Sequence, residues 1–193
     1  GHLDTKSGAV RIVRMPNPGM RPYGIMLDSK GRPWFDEFGS NRIGMIDPAS
    51  FKLEEHIIGD PMARPRRIVI TPDDKVFVGD YSRGKLVMLD PATGTFTEWQ
   101  NPGGARSAPY AMAGDDRGRV WQVETGPQPN RLVSFDPKTA TFGTPIPVGE
   151  SGGLVVRHMV FDPKTRSLWF GTDAGTIGRM SVALADAMRP ATP

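Results

Sequence analysis

A unit of about 43 residues repeats along this chain, and that self-similarity limits the fold more than any single motif does. Trp34-Phe35-Asp36-Glu37 leads to Arg42-Ile43-Gly44-Met45-Ile46-Asp47-Pro48, and Phe77-Val78-Gly79-Asp80 leads to Lys85-Leu86-Val87-Met88-Leu89-Asp90-Pro91. The landmarks of the second copy stand 43 residues after those of the first, with no gap between them. A third copy runs from Trp121 to Pro137 with two extra residues in its middle. The fourth carries Trp169-Phe170-Gly171-Thr172-Asp173 and Thr176-Ile177-Gly178-Arg179-Met180. Short apolar runs punctuated by turn residues read as strands, and strands repeating at this period read as the blades of a propeller.

In the first copy the innermost strand is expected at 24–27, the second around 33–35, the third at 43–46 and the outer one at 52–58. Asp47-Pro48-Ala49-Ser50 makes the turn before that outer strand, and Asp90-Pro91 and Asp136-Pro137 repeat it. Proline presets φ there and the aspartate bonds nearby amides. The fold class is therefore all-β: a β-propeller of four-stranded antiparallel blades, about four of them here, forming part of a six- or seven-bladed ring. Expected boundaries are 1–21 for the outer-strand remnant of a preceding blade, then blades at 22–63, 64–107 and 108–155. A partial last blade follows at 156–183, and 184–193 is a tail; Ala-rich 181–188 is the one stretch with helical character. Since a blade cannot bury both faces alone, Trp34, Phe77, Trp121 and Trp169 are expected between blades.

The first ten residues match the pattern of 89–96, so the chain opens near the end of a third strand. Two arrangements follow. Either these are blades of a larger ring, or 10–15 closes a four-bladed ring by pairing with the last copy; residues 1–4 would be redundant in the second. Composition excludes more than it assigns. Without cysteine there is no disulfide framework or thiolate metal site. The net charge of +3 and one tight basic cluster, Arg64, Arg66 and Arg67, give no case for nucleic acid. No apolar stretch approaches a membrane span. A periplasmic or secreted setting is favoured over the cytoplasm.

Strand polarity locates the chemistry. The start of strand one and the end of strand two share one face of the ring, near its axis. Tyr23, Arg66, Arg67, Tyr110, Arg157 and His158 stand at the starts, and Glu37, Asp80, Glu124 and Asp173 at the ends. A mouth lined by these groups suits a polar or anionic small molecule. The alternative for each carboxylate is a structural role, paired with an arginine or accepting loop amides. Among the histidines, His2 is terminal and His56 falls on an outer strand, leaving His158 as the candidate to test.

Pro22-Tyr23-Gly24-Ile25, Asp28-x-x-Gly31-x-x-Trp34-Phe35-x-Glu37 and Asn41-Arg42-Ile43-Gly44 resemble the virginiamycin B lyase (streptogramin B lyase) family of seven-bladed propellers. That resemblance implies an enzyme opening a cyclic depsipeptide antibiotic at its ester by elimination, with Mg²⁺ held by two glutamates and a histidine handling the proton. Matched position by position, Asp173 stands at one metal ligand. Val155 replaces the other, Arg157 stands at the catalytic histidine, and His158 is displaced by one residue. Strict alternation along a strand would point His158 to the opposite face. Two classes of function stay open: a metal-assisted lyase with Arg157 and His158 as its catalytic candidates, and a binding or scaffold propeller that has lost the lyase residues. A gluconolactonase-type propeller is a third option, without a clear match to that family's metal ligands.

Overall fold

The structure, a computed structural model, describes residues 1–149 and 155–183. Four antiparallel sheets are arranged as the blades of a β-propeller. The first blade runs β3 (Pro22–Leu27), β4 (Pro33–Glu37), β5 (Arg42–Ile46) and β6 (Leu53–Ile57) from the axis outward. The second runs β7 (Pro65–Ile70), β8 (Val76–Asp80), β9 (Lys85–Asp90) and β10 (Thr95–Gln100). In the third, β11 (Pro109–Gly114), β12 (Val120–Glu124) and β13 (Arg131–Asp136) are followed by an outer strand in two pieces, β14 (Thr141–Phe142) and β15 (Ile146–Pro147), both paired with β13. Gly143 and Pro145 fall in the break, where proline offers no ladder donor. The fourth has β16 (Val156–Asp162), β17 (Ser167–Thr172) and β18 (Ile177–Ser181).

A hairpin, β1 (His2–Leu3) with β2 (Val10–Arg11), precedes the first blade. The expected outer strand at 10–15 thus pairs with the expected third-strand remnant, and among the described residues β18 pairs with β17 alone. Innermost strands pack in series, β3 on β7, β7 on β11 and β11 on β16, while β16 and β3 do not pack together in that way. The helical expectation at 181–188 and the tail at 184–193 lie outside the described residues after Ala183.

Packing between blades explains the repeat. Trp34 joins Ile68, Val76 and Val78 of the second blade, Phe77 joins Met112 and Val120 of the third, and Trp121 joins Met159, Leu168 and Phe170 of the fourth. Trp169 departs from the expectation: it is 38% exposed, because no fifth sheet follows to cover it among the described residues. Ile177, on the neighbouring strand, is exposed as well. The Ile-Gly pairs of β5 and β18 have a steric origin. Phe35 lies directly opposite Gly44 and Phe170 opposite Gly178, and a Cβ at either glycine would come within 2.2 Å of the facing ring.

Two buried aspartates fasten the turns between strands one and two. Asp115 accepts the Arg117 and Arg119 amides at 3.0 Å, the Arg119 Nε–H at 2.7 Å and the Trp121 indole N–H at 2.8 Å. Asp28 does the same with the Lys30 and Arg32 amides, the Arg32 side chain and the Trp34 indole. Burial pushes the Asp28 carboxyl up, and these donors, led by Trp34, overcome it and bring it below the ordinary carboxylate range. Each clamp ties a turn to the tryptophan that packs on the next blade, so turn geometry and blade stacking are coupled.

Candidate functional site

The mouth is shaped by a bulge repeated in every blade. Register slips between Pro22 and Ile25, Arg66 and Ile68, Pro109 and Met112, and Val156 and His158, always at the start of strand one. A bulge breaks the two-residue alternation and re-aims side chains. Consecutive residues therefore share the axial end: Arg66 with Arg67, whose φ is 70°, and Arg157 with His158. The bulge breaks the strict alternation on which the expectation for His158 rests: Arg157 reaches Asp173, with its Cζ 6.0 Å from the Tyr110 ring, while His158 lines a cavity together with Arg67. Arg157 and His158 are both exposed. Partial burial, with the Arg67 charge beside it, holds His158 below the usual imidazole range.

Gly24 lets the first two blades close on this end. A Cβ there would stand 2.5 Å from Asp36 Oδ1, which instead accepts the Gly24 amide at 2.9 Å. Asp36 is wholly buried and its Oδ2 has no hydrogen-bond partner among the described residues. Burial pushes its carboxyl up to about 7 against the pull of the Gly24 amide and Arg67.

Arg66 stands in a cage of four aromatic rings. Its Cζ lies 3.6 Å from the Tyr110 ring centre, 4.5 Å from Tyr81, 4.7 Å from Phe38 and 5.5 Å from Tyr23. Ring faces attract a guanidinium without neutralising it, so the cage holds a full positive charge in place. Arg67 crosses the mouth, its Nε donating to the Arg157 carbonyl at 3.2 Å and its Cζ 5.0 Å from Tyr23. The hydroxyls of Tyr23 and Tyr110 share a hydrogen bond. Burial acts upward on the Tyr110 phenol, but the bond with Tyr23 and the Arg66 charge bring it below its ordinary value. Neither Arg66 nor Arg67 has a carboxylate in ion-pair reach among the described residues; Asp80, Glu124 and Asp173 are held by Arg83, Arg131 and Arg157, and the buried Asp36 feels the Arg67 charge without forming an ion pair with it.

The carboxylates expected in the mouth reach the same end of the blades but turn away from it. Pro22 pairs with Glu37, Pro65 with Asp80 and Pro109 with Glu124, yet all three acids are fully buried. Glu124 accepts the Gly103 amide at 2.7 Å and the Arg131 guanidinium. Asp80 accepts the Arg64 amide at 2.9 Å and the side chain of Arg83, which also reaches Glu98 and Asp60. Glu37 accepts the Ser40 hydroxyl at 2.8 Å; burial, and Glu55 beside it, push its carboxyl up. The structural alternative holds for these three, because each finds nearby donors: loop amides for Asp80 and Glu124, the Ser40 hydroxyl for Glu37, Arg83 of the following turn for Asp80 and Arg131 of the third strand for Glu124.

Asp173 remains at the mouth, bound bidentately by Arg157 at 2.8–3.0 Å. That pair lowers the Asp173 carboxyl and raises the guanidinium. Mg²⁺ prefers a near-octahedral oxygen set. Here both Asp173 oxygens face a guanidinium, Val155 is apolar, and no group of three or more His, Asp or Glu side chains among the described residues is arranged to hold a metal. The residues do not fit the ion that the family resemblance implies. Phe38 and Tyr81 were missed by sequence reasoning. Their signal was an aromatic directly after the strand-two carboxylate, in Glu37-Phe38 and Asp80-Tyr81.

This architecture is that of a β-propeller with a cationic, aromatic axial mouth. No protein-family model matches the sequence. Virginiamycin B lyase from Nocardia farcinica is 33% identical over 72 residues, 37% of this chain and 25% of the relative. A structure of a catalytically inactive virginiamycin B lyase from Staphylococcus aureus with quinupristin superposes with a TM-score of 0.80 at 24% identity, covering 92% of this chain and 58% of the other. The extracellular domain of a one-component system from B. thetaiotaomicron gives 0.69 at 18% identity, over 88% of this chain and 21% of that one. The chain thus resembles virginiamycin B lyases in sequence and fold, and spans well under two thirds of the length of either lyase. No helix among the described residues is long and apolar enough to cross a membrane.

Proposed function

We propose that the axial mouth binds a small anionic molecule, a carboxylate or phosphate, and that it does so without the elimination chemistry of the lyases it resembles. The observation that carries this reading is the caged Arg66 beside Arg67: two guanidiniums held at one mouth by rings and a backbone carbonyl, with no carboxylate in ion-pair reach of either among the described residues. A guanidinium fork offers paired donors to such an anion, and Tyr23 and Tyr110 add hydroxyls. Elimination asks for a base placed against an acidic C–H and a stabiliser for the developing charge. Arg157, where the family's histidine would stand, is permanently protonated and locked on Asp173. The occupant would be extracellular or periplasmic, in keeping with the extracellular domain that shares this fold.

Calorimetric titration at low ionic strength tests the reading with phosphate and acetate as probes. Saturable binding, lost or weakened about tenfold or more in Arg67→Gln, is the expected result. Binding of neither probe, or binding indifferent to Arg66 and Arg67, would refute it.

A further inference from the structure

Beneath Arg67, the four innermost strands line an open cavity of about 460 Å³. That volume falls within the ~300–1,000 Å³ usual for small-molecule sites. Its wall is mainly apolar: Met26 and Val160 present exposed surface to it, Met112 and Met159 lie behind in the blade packing, and of the lining residues only Arg67 and His158 carry titratable groups. The exposed Met26 side chain can adapt to a variable chain. Ile25 on β3 and Val160 on β16, 65% and 49% exposed, keep apolar surface open to this space, whereas Ile68 and Met112 are buried in blade packing. Arg67 lies at the upper end, laid across the mouth by its bond to the Arg157 carbonyl.

We propose that the ligand of this site is an amphiphilic carboxylate, its head on Arg67 and its alkyl chain running down the cavity between the innermost strands. The inference rests on the anion-binding reading and deepens it. A small hydrophilic anion would leave the apolar wall wet, and a neutral apolar molecule would leave the guanidiniums without a counter-charge. An amphiphilic carboxylate satisfies both ends. Each methylene removed from water tightens binding about fourfold.

The test compares acetate, octanoate below its micellar concentration and 1-octanol by calorimetry, with the parent chain, Arg67→Gln and the double variant Ile25→Asn/Val160→Asn. Both positions of the double variant are exposed, and circular dichroism checks that its fold is kept. Octanoate is expected to bind on the order of a hundredfold more tightly than acetate, as burial of about half its additional methylenes requires. The double variant should erase that gain and leave acetate unchanged. Arg67→Gln should weaken both anions and leave octanol unaffected. Equal affinity for acetate and octanoate, or a gain that survives the double variant, would overturn the proposal while leaving the anion site intact. Failure of both anions to bind would remove the anion site and this inference together.

Discussion

Replacing Asp115 with alanine is expected to be among the most damaging single changes in this chain, although the residue touches no part of the mouth. Its carboxylate is fully buried and serves four donors: two turn amides, the Arg119 side chain and the Trp121 indole. Deleting one partner of a buried ion pair costs about 3–5 kcal/mol, since the other charge stays behind in a place where water enters poorly. The Arg119 side chain is itself only 5% exposed. A buried indole N–H left without its acceptor costs about 1–3 kcal/mol more. The terms overlap because the site relaxes, so about 4 kcal/mol is expected for Asp115→Ala. Against a total stability of ~5–15 kcal/mol, that is a large fraction. Urea unfolding followed by tryptophan fluorescence measures it, and for a chain this size it corresponds to a fall in Tm of roughly 8–16 °C. Asp162 opens the matching turn of the fourth blade, and its carboxylate bonds the Lys164 amide and the Thr165 hydroxyl at the surface, with no arginine or indole partner among the described residues. Asp162→Ala should cost less than about 1 kcal/mol. Equal losses in the two variants, or a loss under about 1 kcal/mol for Asp115→Ala, would refute the reasoning.

Stability should fall as pH rises from about 4 to about 7, because Asp36 and Glu37 hold protons in the folded state that the unfolded chain has already released. Asp36→Asn keeps the acceptor for Gly24 and removes the titration, so it should flatten much of that slope and stabilise the chain at pH 8 by a few kcal/mol, on the order expected for a shift of this size; an unchanged slope would count against it. Asp173→Asn should change stability by less than about 1 kcal/mol, since its pair with Arg157 is solvent-exposed. It should also tighten phosphate binding severalfold by releasing that guanidinium, as calorimetry would show. Incubation with a streptogramin B and Mg²⁺ should give little or no linear product by mass spectrometry. Robust opening by the parent, lost in Arg157→Ala, would show that Arg157 had taken a catalytic role.

The blades were legible because each repeats the same turn and strand chemistry, so four weak local signals reinforced one another at a fixed period. Trp169 was read as buried because the period places it beside Trp34 and Trp121. Its exposure depends on whether another sheet follows, which no local pattern encodes. Strand polarity brought the right residues to one end of the axis, but which way Asp80 and Glu124 turn there is decided by Arg83, three residues on in the following turn, and Arg131, seven residues on at the start of the next strand. The bulges were hidden for a related reason. An extra residue at the start of strand one leaves no mark in composition, yet it sets Arg66 and Arg67 at the same end and removes the strict alternation on which the parity argument at His158 rests. The aspartate clamps did carry a signal, in Asp28 and Asp115 six residues before a tryptophan with an arginine two before it, and the repeat alone suffices to find it.

The claim on which the functional account depends is that Arg66 and Arg67 hold an anion at the mouth, and the most direct measurement is residue-resolved NMR of the arginine Nε–H groups during a phosphate titration. The account predicts saturable shifts at Arg66 and Arg67, a smaller one at Arg157 through the Arg67 contact, and none at Arg83, Arg119 or Arg131, which carboxylates already hold. Shifts confined to that second group, or equal and unsaturable drift at every arginine, would contradict it.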